Sequence, residues 1–267
     1  MKTNSKVDIT INKLKEDLGK INWQEVKKQQ QSYFSAYTEF LNYFQKLPII
    51  DHHSFIIGSH FVYGWMPTIL NIESSHIDMA IGILNKAKQN EKLNSDELEN
   101  LKRCINNSLV GTSKFLHFMN PKLYSIWDRR VCRYFINSEP YEKVSSVNLY
   151  LSYLSLCTTL QSQENYNFIH KVVEENVGYS IMPNRAIELI MFLNGAKKKS
   201  HKNLSASIQS IGEGNPILEE SEDARKYGRY QAYLNLTNDL NFSPKEALSI
   251  MHITESEVKE LLREYSD

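Results

Sequence analysis

Two side chains near the middle of the chain have types that can carry out covalent or acid–base chemistry, Lys114 and Asp128. A carboxylate can stabilise a developing positive charge or act as a general base. A lysine amine is a nucleophile only when it is neutral, which requires burial or neighbouring cations. Just after the aspartate, Arg129, Arg130 and Arg133 form a local basic cluster that can bind phosphates. This segment is the first candidate for a reactive site.

Each of these residues also has a structural interpretation. Asp128 precedes a helical pattern and can serve only as its N-cap. Lys114 can be a solvated helix lysine, since lysine is common on helix surfaces. The three arginines can form an exposed helix face paired with Glu139 and Glu142. Both interpretations remain open at the level of sequence.

The elements around these residues predict a helical hairpin over about 95–119. A helix with Ser95 as its predicted N-cap is followed by a predicted turn at Leu109–Thr112 and a second helix from about Ser113 to Met119. Backbone N–H groups at such a turn and at a helix N-terminus point outward and bind anions without any net protein charge. We therefore expect Gly111, Thr112 and Ser113 to contact the DNA backbone.

The turn and the aspartate together match a known pattern. Val110, Gly111 and Lys114, followed by Asp128 and Val131, resemble the helix-hairpin-helix DNA glycosylase superfamily, whose 8-oxoguanine-type members with a catalytic lysine are the nearest group. In that superfamily the hairpin is followed by an Asp-x-x-Val motif, here at 127–131. The chain is a divergent member of the pattern: the first glycine of the usual turn is absent, and the connection from lysine to aspartate is short.

The resemblance implies a DNA glycosylase, with or without abasic-site lyase activity, that excises a damaged or modified base. Asp128 and Lys114 would be catalytic, and Arg129, Arg130 and Arg133 would hold phosphates around a flipped base in double-stranded DNA. The residues expected to supply aromatic and imidazole groups to the base pocket are Trp65, His117 and Trp127. No cofactor is expected, and either DNA repair or defence against modified foreign DNA fits. The alternative is a non-enzymatic helical DNA-binding or protein-interaction module.

Composition limits the other possibilities. The 267 residues carry 31 Lys+Arg and 31 Asp+Glu, a balance that argues against a broadly basic DNA-coating protein. Three cysteines without CxxC spacing suit a reducing, cytoplasmic compartment, and no apolar run suggests a membrane span or a leader. Motifs of nucleotide-triphosphate enzymes, dinucleotide oxidoreductases and α/β hydrolases are absent. The histidines and acids around Asp51–His53 lack ligand spacing, so no metal site is expected.

Helical periodicity dominates and predicts an all-α fold, a two-lobed helical bundle with a small C-terminal helical extension. A short strand near Ser54–Ile57 is the one other element considered. We place the glycosylase-like body at 1–196, a Lys-, Ser-, Gly- and Asn-rich linker at 197–215, and the extension at 216–267. In the extension, Thr254 and Glu257 predict a capping box, and 244–262 predicts either a packing helical hairpin or a helix-turn-helix.

One more predicted helix bears on the site. Pro183 at its first position and Gly195 at its end delimit a helix whose apolar residues indicate packing. The polar residues Asn184, Arg185 and Glu188 lie in this helix. They can approach the hairpin region, because this helix follows it in the chain.

Overall fold

A computed structural model describes residues 9–66, 68–196, 237, 243–245, 248 and 254–265. These residues form helices and no strand; the one β-type contact is an isolated antiparallel bridge between Ile72 and Ile105. The predicted all-α class is confirmed. The α-helices are α1 Ile11–Leu18, α2 Trp23–Lys46, α3 His52–Trp65, α4 Ile77–Lys88, α5 Ser95–Cys104, α6 Leu109–Met119, α7 Arg129–Ile136, α8 Val147–Gln161, α9 Tyr166–Val177, α10 Pro183–Asn194 and α11 Glu255–Tyr265.

Short polar side chains determine where several helices begin. Asn22 caps α2, and Asn94 forms a complete capping box with Glu97 at the start of α5. The predicted cap of α5, Ser95, is therefore one residue too late. At α11 the predicted box is confirmed: the Glu257 N–H donates to the Thr254 hydroxyl at 3.3 Å, and the Thr254 N–H donates to the Glu257 carboxylate at 2.7 Å.

The predicted strand near Ser54–Ile57 is wrong, because these residues lie in α3. The Ser54 N–H donates to Oδ1 of Asp51 at 2.8 Å, and the Asp51 N–H donates to the Ser54 hydroxyl at 2.9 Å. This reciprocal pair satisfies backbone donors at the start of a helix. The apolar run that follows is buried by packing of a helix, a case that periodicity alone cannot separate from a buried strand.

The helical hairpin exists, but its turn lies earlier than predicted. Helix α6 begins at Leu109 with Ser108 as N-cap, and the Gly111 N–H donates to the Ser108 hydroxyl at 3.2 Å. The connection from α5 contains Asn106 and Asn107, both left-handed with φ of 54° and 48°. Asparagine tolerates this conformation, so the reversal needs no glycine. Gly111 therefore lies inside the first turn of α6.

Helix α10 is central to the body of the fold. It packs against α1, α7, α8 and α9, and most of its residues are buried. Helix α6 is likewise buried almost throughout and packs against α2, α4 and α5. Two helices buried on most faces bring polar side chains into the interior, where each must find a partner.

The chain divides into two compact units. One comprises residues 1–62 and 70–207 and contains both catalytic candidates; the other comprises residues 63–69 and 208–267. The predicted linker at 197–215 and most of the predicted C-terminal extension, up to residue 253, lie outside the described residues. In the described part of the chain no helix is both long and apolar enough to cross a membrane.

Candidate functional site

Asp128 is a buried N-cap. Its side chain is 2% exposed, and the backbone N–H groups of Arg130 and Val131 both donate to Oδ1 at 2.9 Å. A carboxylate that receives two N–H donors at a helix N-terminus is held in one orientation with its charge stabilised. The predicted cap is confirmed, and a fixed, buried carboxylate is also what electrostatic stabilisation of a cationic transition state requires.

Lys114 is a buried lysine in α6, with 6% of its surface exposed. The interpretation as a solvated surface lysine is therefore wrong. Its chain neighbour Ser113 connects α6 to the segment before α7: the Trp127 N–H donates to the Ser113 hydroxyl, whose oxygen also lies 3.0 Å from the Trp127 carbonyl. Lys114 therefore follows Ser113 in the chain and Asp128 follows Trp127, and these two preceding residues are buried and joined by a hydrogen bond.

His117, three residues after Lys114, is completely buried and hydrogen-bonded through both ring nitrogens. Nδ1 lies 2.8 Å from the carbonyl oxygen of Tyr124, and Nε2 lies 2.8 Å from the hydroxyl of Tyr37. Because a carbonyl can only accept, Nδ1 carries the proton and Nε2 accepts from Tyr37. Burial, and secondarily the positive charge of Arg185, lowers the pKa of His117 to about 3. The ring is therefore neutral and fixed.

This burial predicts acid sensitivity. The pKa of His117 is about 3 when folded and about 6.5 when unfolded, so between these values the unfolded chain binds a proton that the folded chain refuses. We expect stability to fall as the pH falls through this window, by at most about 1.4 kcal/mol per pH unit from this residue. Urea unfolding of wild type and His117→Gln at several pH values measures the difference in slope.

His60, an exposed histidine on α3, supplies the matched control. The His60→Gln protein should keep the wild-type dependence of stability on pH. Parallel curves for wild type and His117→Gln would contradict the assignment of the acid sensitivity to His117.

An ion pair in α10 lies wholly inside the protein. Arg185 is 0% exposed and Glu188 is 0% exposed, and Nη1 of the arginine donates to Oε2 of the glutamate. The guanidinium lies 4.5 Å from the ring centre of Tyr37 and 5.7 Å from that of Tyr33. A cation over an aromatic face is favourable when both are desolvated. The sequence indicated only that Arg185 and Glu188 could approach the site; the tyrosines were not predicted.

Both catalytic candidates interact with groups at this pair. Burial raises the pKa of Glu188, while the positive charges of Arg185 and Lys114 oppose the rise. Burial likewise raises the pKa of Tyr33; Arg185 opposes this rise, and the negative charges of Glu188 and Asp128 add to it. Charges interact more strongly inside a protein than in water, so Lys114, Asp128, Tyr33 and the pair form one buried electrostatic cluster. Helices α2, α6, α7 and α10 supply it.

The three arginines do not form one basic face, which corrects the prediction. Arg129 is exposed, whereas Arg130 is 3% exposed with its guanidinium 5.0 Å from the ring centre of Phe192. Arg133 donates to the Gly195 carbonyl at 2.7 Å and forms an ion pair with Glu139 at 3.3 Å. The predicted pairing with Glu139 is confirmed, and Arg129 is the arginine of the three whose side chain faces solvent.

The predicted contacts of Gly111, Thr112 and Ser113 with the DNA backbone also need correction, because these residues are buried. The side chains of Thr112 and Ser113 are completely buried, and Gly111 is buried with its N–H bound to Ser108. The Thr112 N–H donates to the Ser108 carbonyl at 3.0 Å, so the N–H groups of Gly111 and Thr112 are both used within the start of α6 and are not offered to a phosphate. The prediction failed because the helix starts four residues earlier than the glycine suggested.

The three residues predicted for the base pocket lie in different environments. Trp127 is a core residue: it is 0% exposed, its indole N–H donates to the Val144 carbonyl at 2.7 Å, and it packs against Tyr150 and Tyr153. Trp65 is half-buried near the end of α3 and belongs to the second unit. Of the three candidates, only His117 lies in the cluster, where it acts through Tyr37.

Among the residues that the structure describes, no three His, Cys, Asp or Glu side chains converge in a way that could hold a metal ion. The three cysteines are free and buried. Burial raises the pKa of Cys132 to about 12, with Asp128 contributing to the rise, and such a thiol is a poor nucleophile. Cys132 is therefore not a candidate nucleophile.

No family model, no curated protein and no solved structure matches the chain.

Proposed function

We propose that the protein is a DNA glycosylase with lyase activity that removes a damaged or modified base from double-stranded DNA. The observation that supports this most directly is the joint burial of Lys114 and Asp128, at 6% and 2% exposure, on adjoining elements tied together through Ser113. Burial of an amine and of a carboxylate is costly, and buried ionisable groups are concentrated at functional sites. The superfamily resemblance implies catalytic roles for the same two residues.

The chemistry follows from the two groups. As the N-glycosidic bond breaks, the base leaves with the bonding electrons and positive charge builds on the sugar, which the Asp128 carboxylate stabilises. The Lys114 amine then forms a bond from Nζ to C1′ with loss of a proton, and ring opening gives a Schiff base. Loss of a proton from C2′ of that Schiff base forms a C2′–C3′ double bond and expels the 3′-phosphate as the leaving group, which cuts the strand.

The neutral overall charge limits how the protein holds DNA. With 31 positive and 31 negative side chains, non-specific affinity from counterion release is small. Arg129, exposed in the first turn of α7 directly after Asp128, is the arginine placed to hold a phosphate beside the site. We propose a short DNA footprint, with repair or defence against modified foreign DNA as the role.

A non-enzymatic helical binding module is the second candidate. The observation that favours it is the capping geometry of Asp128, whose Oδ1 accepts from two backbone N–H groups and needs no catalytic role to explain its burial. The two candidate functions differ in the role of Lys114. The glycosylase uses its amine as a nucleophile, whereas a binding module in which Asp128 is only a cap has no use for a buried amine.

The test uses duplexes carrying oxidised, alkylated or glucosylated bases, incubated with the full-length protein and borohydride. We expect a covalent protein–DNA adduct with wild type and none with Lys114→Met, which keeps side-chain length and removes the amine. Lys171, 77% exposed in α9, provides the control, and Lys171→Gln should trap like wild type. Duplex binding without adduct or base release across the panel would favour the binding module.

A further inference from the structure

The segment that leads into Asp128 is buried although it belongs to no helix. Residues 124–128 are all buried, and none of them lies in a helix or a strand. A buried irregular segment lacks the partners that a helix or a sheet gives to backbone N–H and C=O groups, so other groups must bind them. Here the partners include side chains of α6 and α8.

Two side chains of α6 bind the ends of this segment. The Trp127 N–H donates to the hydroxyl of Ser113 at 3.0 Å. The single hydroxyl hydrogen of Ser113 is directed at the Trp127 carbonyl, 3.0 Å away, or at the Val110 carbonyl of its own helix, 2.9 Å away. At the other end, Nδ1 of His117 donates to the Tyr124 carbonyl at 2.8 Å.

The middle of the segment is held by α8. The hydroxyl of Tyr150 donates to the Ser125 carbonyl at 3.0 Å, and the hydroxyl of Ser125 lies 2.8 Å from that of Tyr153. These contacts do not involve α6. Loss of one α6 bond should therefore shift the adjoining end of the segment and leave the rest in place.

The α6 bonds come from the side of the helix that carries Lys114. Successive residues of an α-helix lie about 100° apart around its axis, so positions 113, 114 and 117 fall within about 100° of one another. Ser113 precedes Lys114 in the chain, and Trp127 precedes Asp128. One hydrogen bond thus joins the immediate neighbours of the two catalytic candidates, and neither candidate contributes to it.

We propose that Ser113 is a positioning residue, whose hydroxyl holds Asp128 where its carboxylate and the Lys114 amine reach the same sugar. His117 has the same role at the other end of the segment. This inference rests on the proposed function and adds the residues that set its geometry. A displacement of about 1 Å among reacting groups costs about 10²-fold in rate. A hydroxyl that touches no reacting atom can therefore determine the rate.

A purely structural role of Ser113 makes a different prediction. Base release needs Asp128 to stabilise the sugar cation as well as Lys114 to attack it. A preformed abasic site already presents an aldehyde, so borohydride trapping on it needs the amine alone. A displaced Asp128 lowers base release more than trapping, whereas a loss of folded protein lowers both by the same factor.

The test compares full-length wild type with Ser113→Ala, Asp128→Asn and the double variant Ser113→Ala/Asp128→Asn, each well below its Tm. Two single-turnover rates are measured. The first is base release from a duplex with one oxidised, alkylated or glucosylated base, whichever wild type releases fastest; the second is borohydride trapping on a preformed abasic duplex. Ser59→Ala is the control, because Ser59 is also completely buried in a helix, α3, and its hydroxyl has no hydrogen-bond partner among the described residues.

We expect Ser113→Ala to lower the ratio of base release to trapping by about 10- to 100-fold. Ser59→Ala should keep the wild-type ratio. In the Asp128→Asn background, Ser113→Ala should lower base release by less than about threefold, because a residue that acts through Asp128 has no charge left to position. Equal losses of release and trapping in Ser113→Ala, or its full effect repeated in the Asp128→Asn background, would overturn the inference.

His117 supplies a second pair of variants should Ser113→Ala fail to fold. The side-chain N–H of an asparagine lies close to the position of Nδ1 and can still donate to the Tyr124 carbonyl. The amide of a glutamine lies close to the position of Nε2, so that bond is lost. We expect His117→Gln to lower the ratio of release to trapping by about 10-fold or more, and His117→Asn to lower it less. Equal ratios in the two variants, or the reverse order, would contradict the proposed positioning.

Failure of the proposed function gives a separate result in the same experiment. Wild type that neither releases base nor traps on the abasic duplex would overturn the proposed function, and the inference with it. Active wild type with an unchanged ratio in the Ser113 and His117 variants would overturn the inference alone.

Discussion

Replacing Asp128 by asparagine should abolish most base release while leaving the protein folded. Asparagine is as good an N-cap as aspartate, so the side-chain oxygen can still accept from the N–H groups of Arg130 and Val131. What disappears is the negative charge that, in the proposed mechanism, stabilises the developing sugar cation. Removal of one such group costs about 10²–10⁴ in rate. Single-turnover base release measures this loss.

The comparison with Asp128→Ala separates catalysis from capping. Alanine removes both the charge and the cap, so we expect the same loss of rate together with a loss of about 1 kcal/mol in the free energy of unfolding. If Asp128→Asn releases base at the wild-type rate and only Asp128→Ala is impaired, the aspartate is a cap alone. That result would favour the binding module.

The largest effect on stability is expected for Gly195→Ala. A Cβ atom at this position would lie 2.1 Å from the carbonyl oxygen of Arg130 and 2.8 Å from that of Met191. Both obstacles are backbone atoms, so α7 and α10 would have to move apart. Overpacking of this kind costs about 1–3 kcal/mol, and we expect the upper end of that range. Chemical denaturation measures the change in free energy of unfolding.

Gly82, exposed in α4, supplies the control. No atom lies within 4 Å of a Cβ built there, apart from the local backbone of its own helix. Alanine should raise stability at this position by about 0.5–1 kcal/mol, because glycine is a poor helix former. Gly195→Ala as stable as wild type would contradict the close approach of α7 and α10.

The helices themselves could be predicted from the sequence because their signals are local. Apolar residues at helical spacing and small polar caps placed α5 and α10 within a residue or two of their observed ends, and Thr254 with Glu257 predicted the start of α11. Asp128 as a cap was equally local. Such signals depend on neighbours along the chain, which the sequence contains in full.

The wrong predictions have two kinds of cause: a second local signal that competes with the one used, and tertiary packing. Gly111 suggested a turn, but Ser108 is the better N-cap and two left-handed asparagines make the reversal before it. Arg130 looked like a surface cation, and only the packing of α7 on α10 places it over Phe192. A sequence shows charge but not which helix will cover it.

The buried cluster illustrates the limit most clearly. Arg185 and Glu188, three residues apart, have the spacing of an ordinary exposed i,i+3 ion pair, and their burial follows from the central place of α10. Tyr33 and Tyr37 are four residues apart and share one face of α2. This spacing could have predicted the aromatic surface on which the guanidinium of Arg185 lies. Its pairing with Arg185 depends on the fold.

The balanced charge of the chain fits this arrangement. Ionised side chains are distributed between the surface and an internal cluster, where Lys114, Arg185, Asp128 and Glu188 contribute two positive and two negative charges when all are ionised. The protein should therefore bind DNA that lacks the target base only weakly, and a higher salt concentration should weaken this binding further.

The central claim is that Lys114 attacks the sugar, and peptide mapping of the borohydride adduct tests it most directly. Wild-type protein is trapped on a duplex with one abasic site, digested with protease and nuclease, and the modified peptide is identified by mass spectrometry. We expect a single adduct on the peptide that contains Lys114, with the added mass on that residue. An adduct on another lysine, or none under conditions in which a known lyase is trapped, would contradict it.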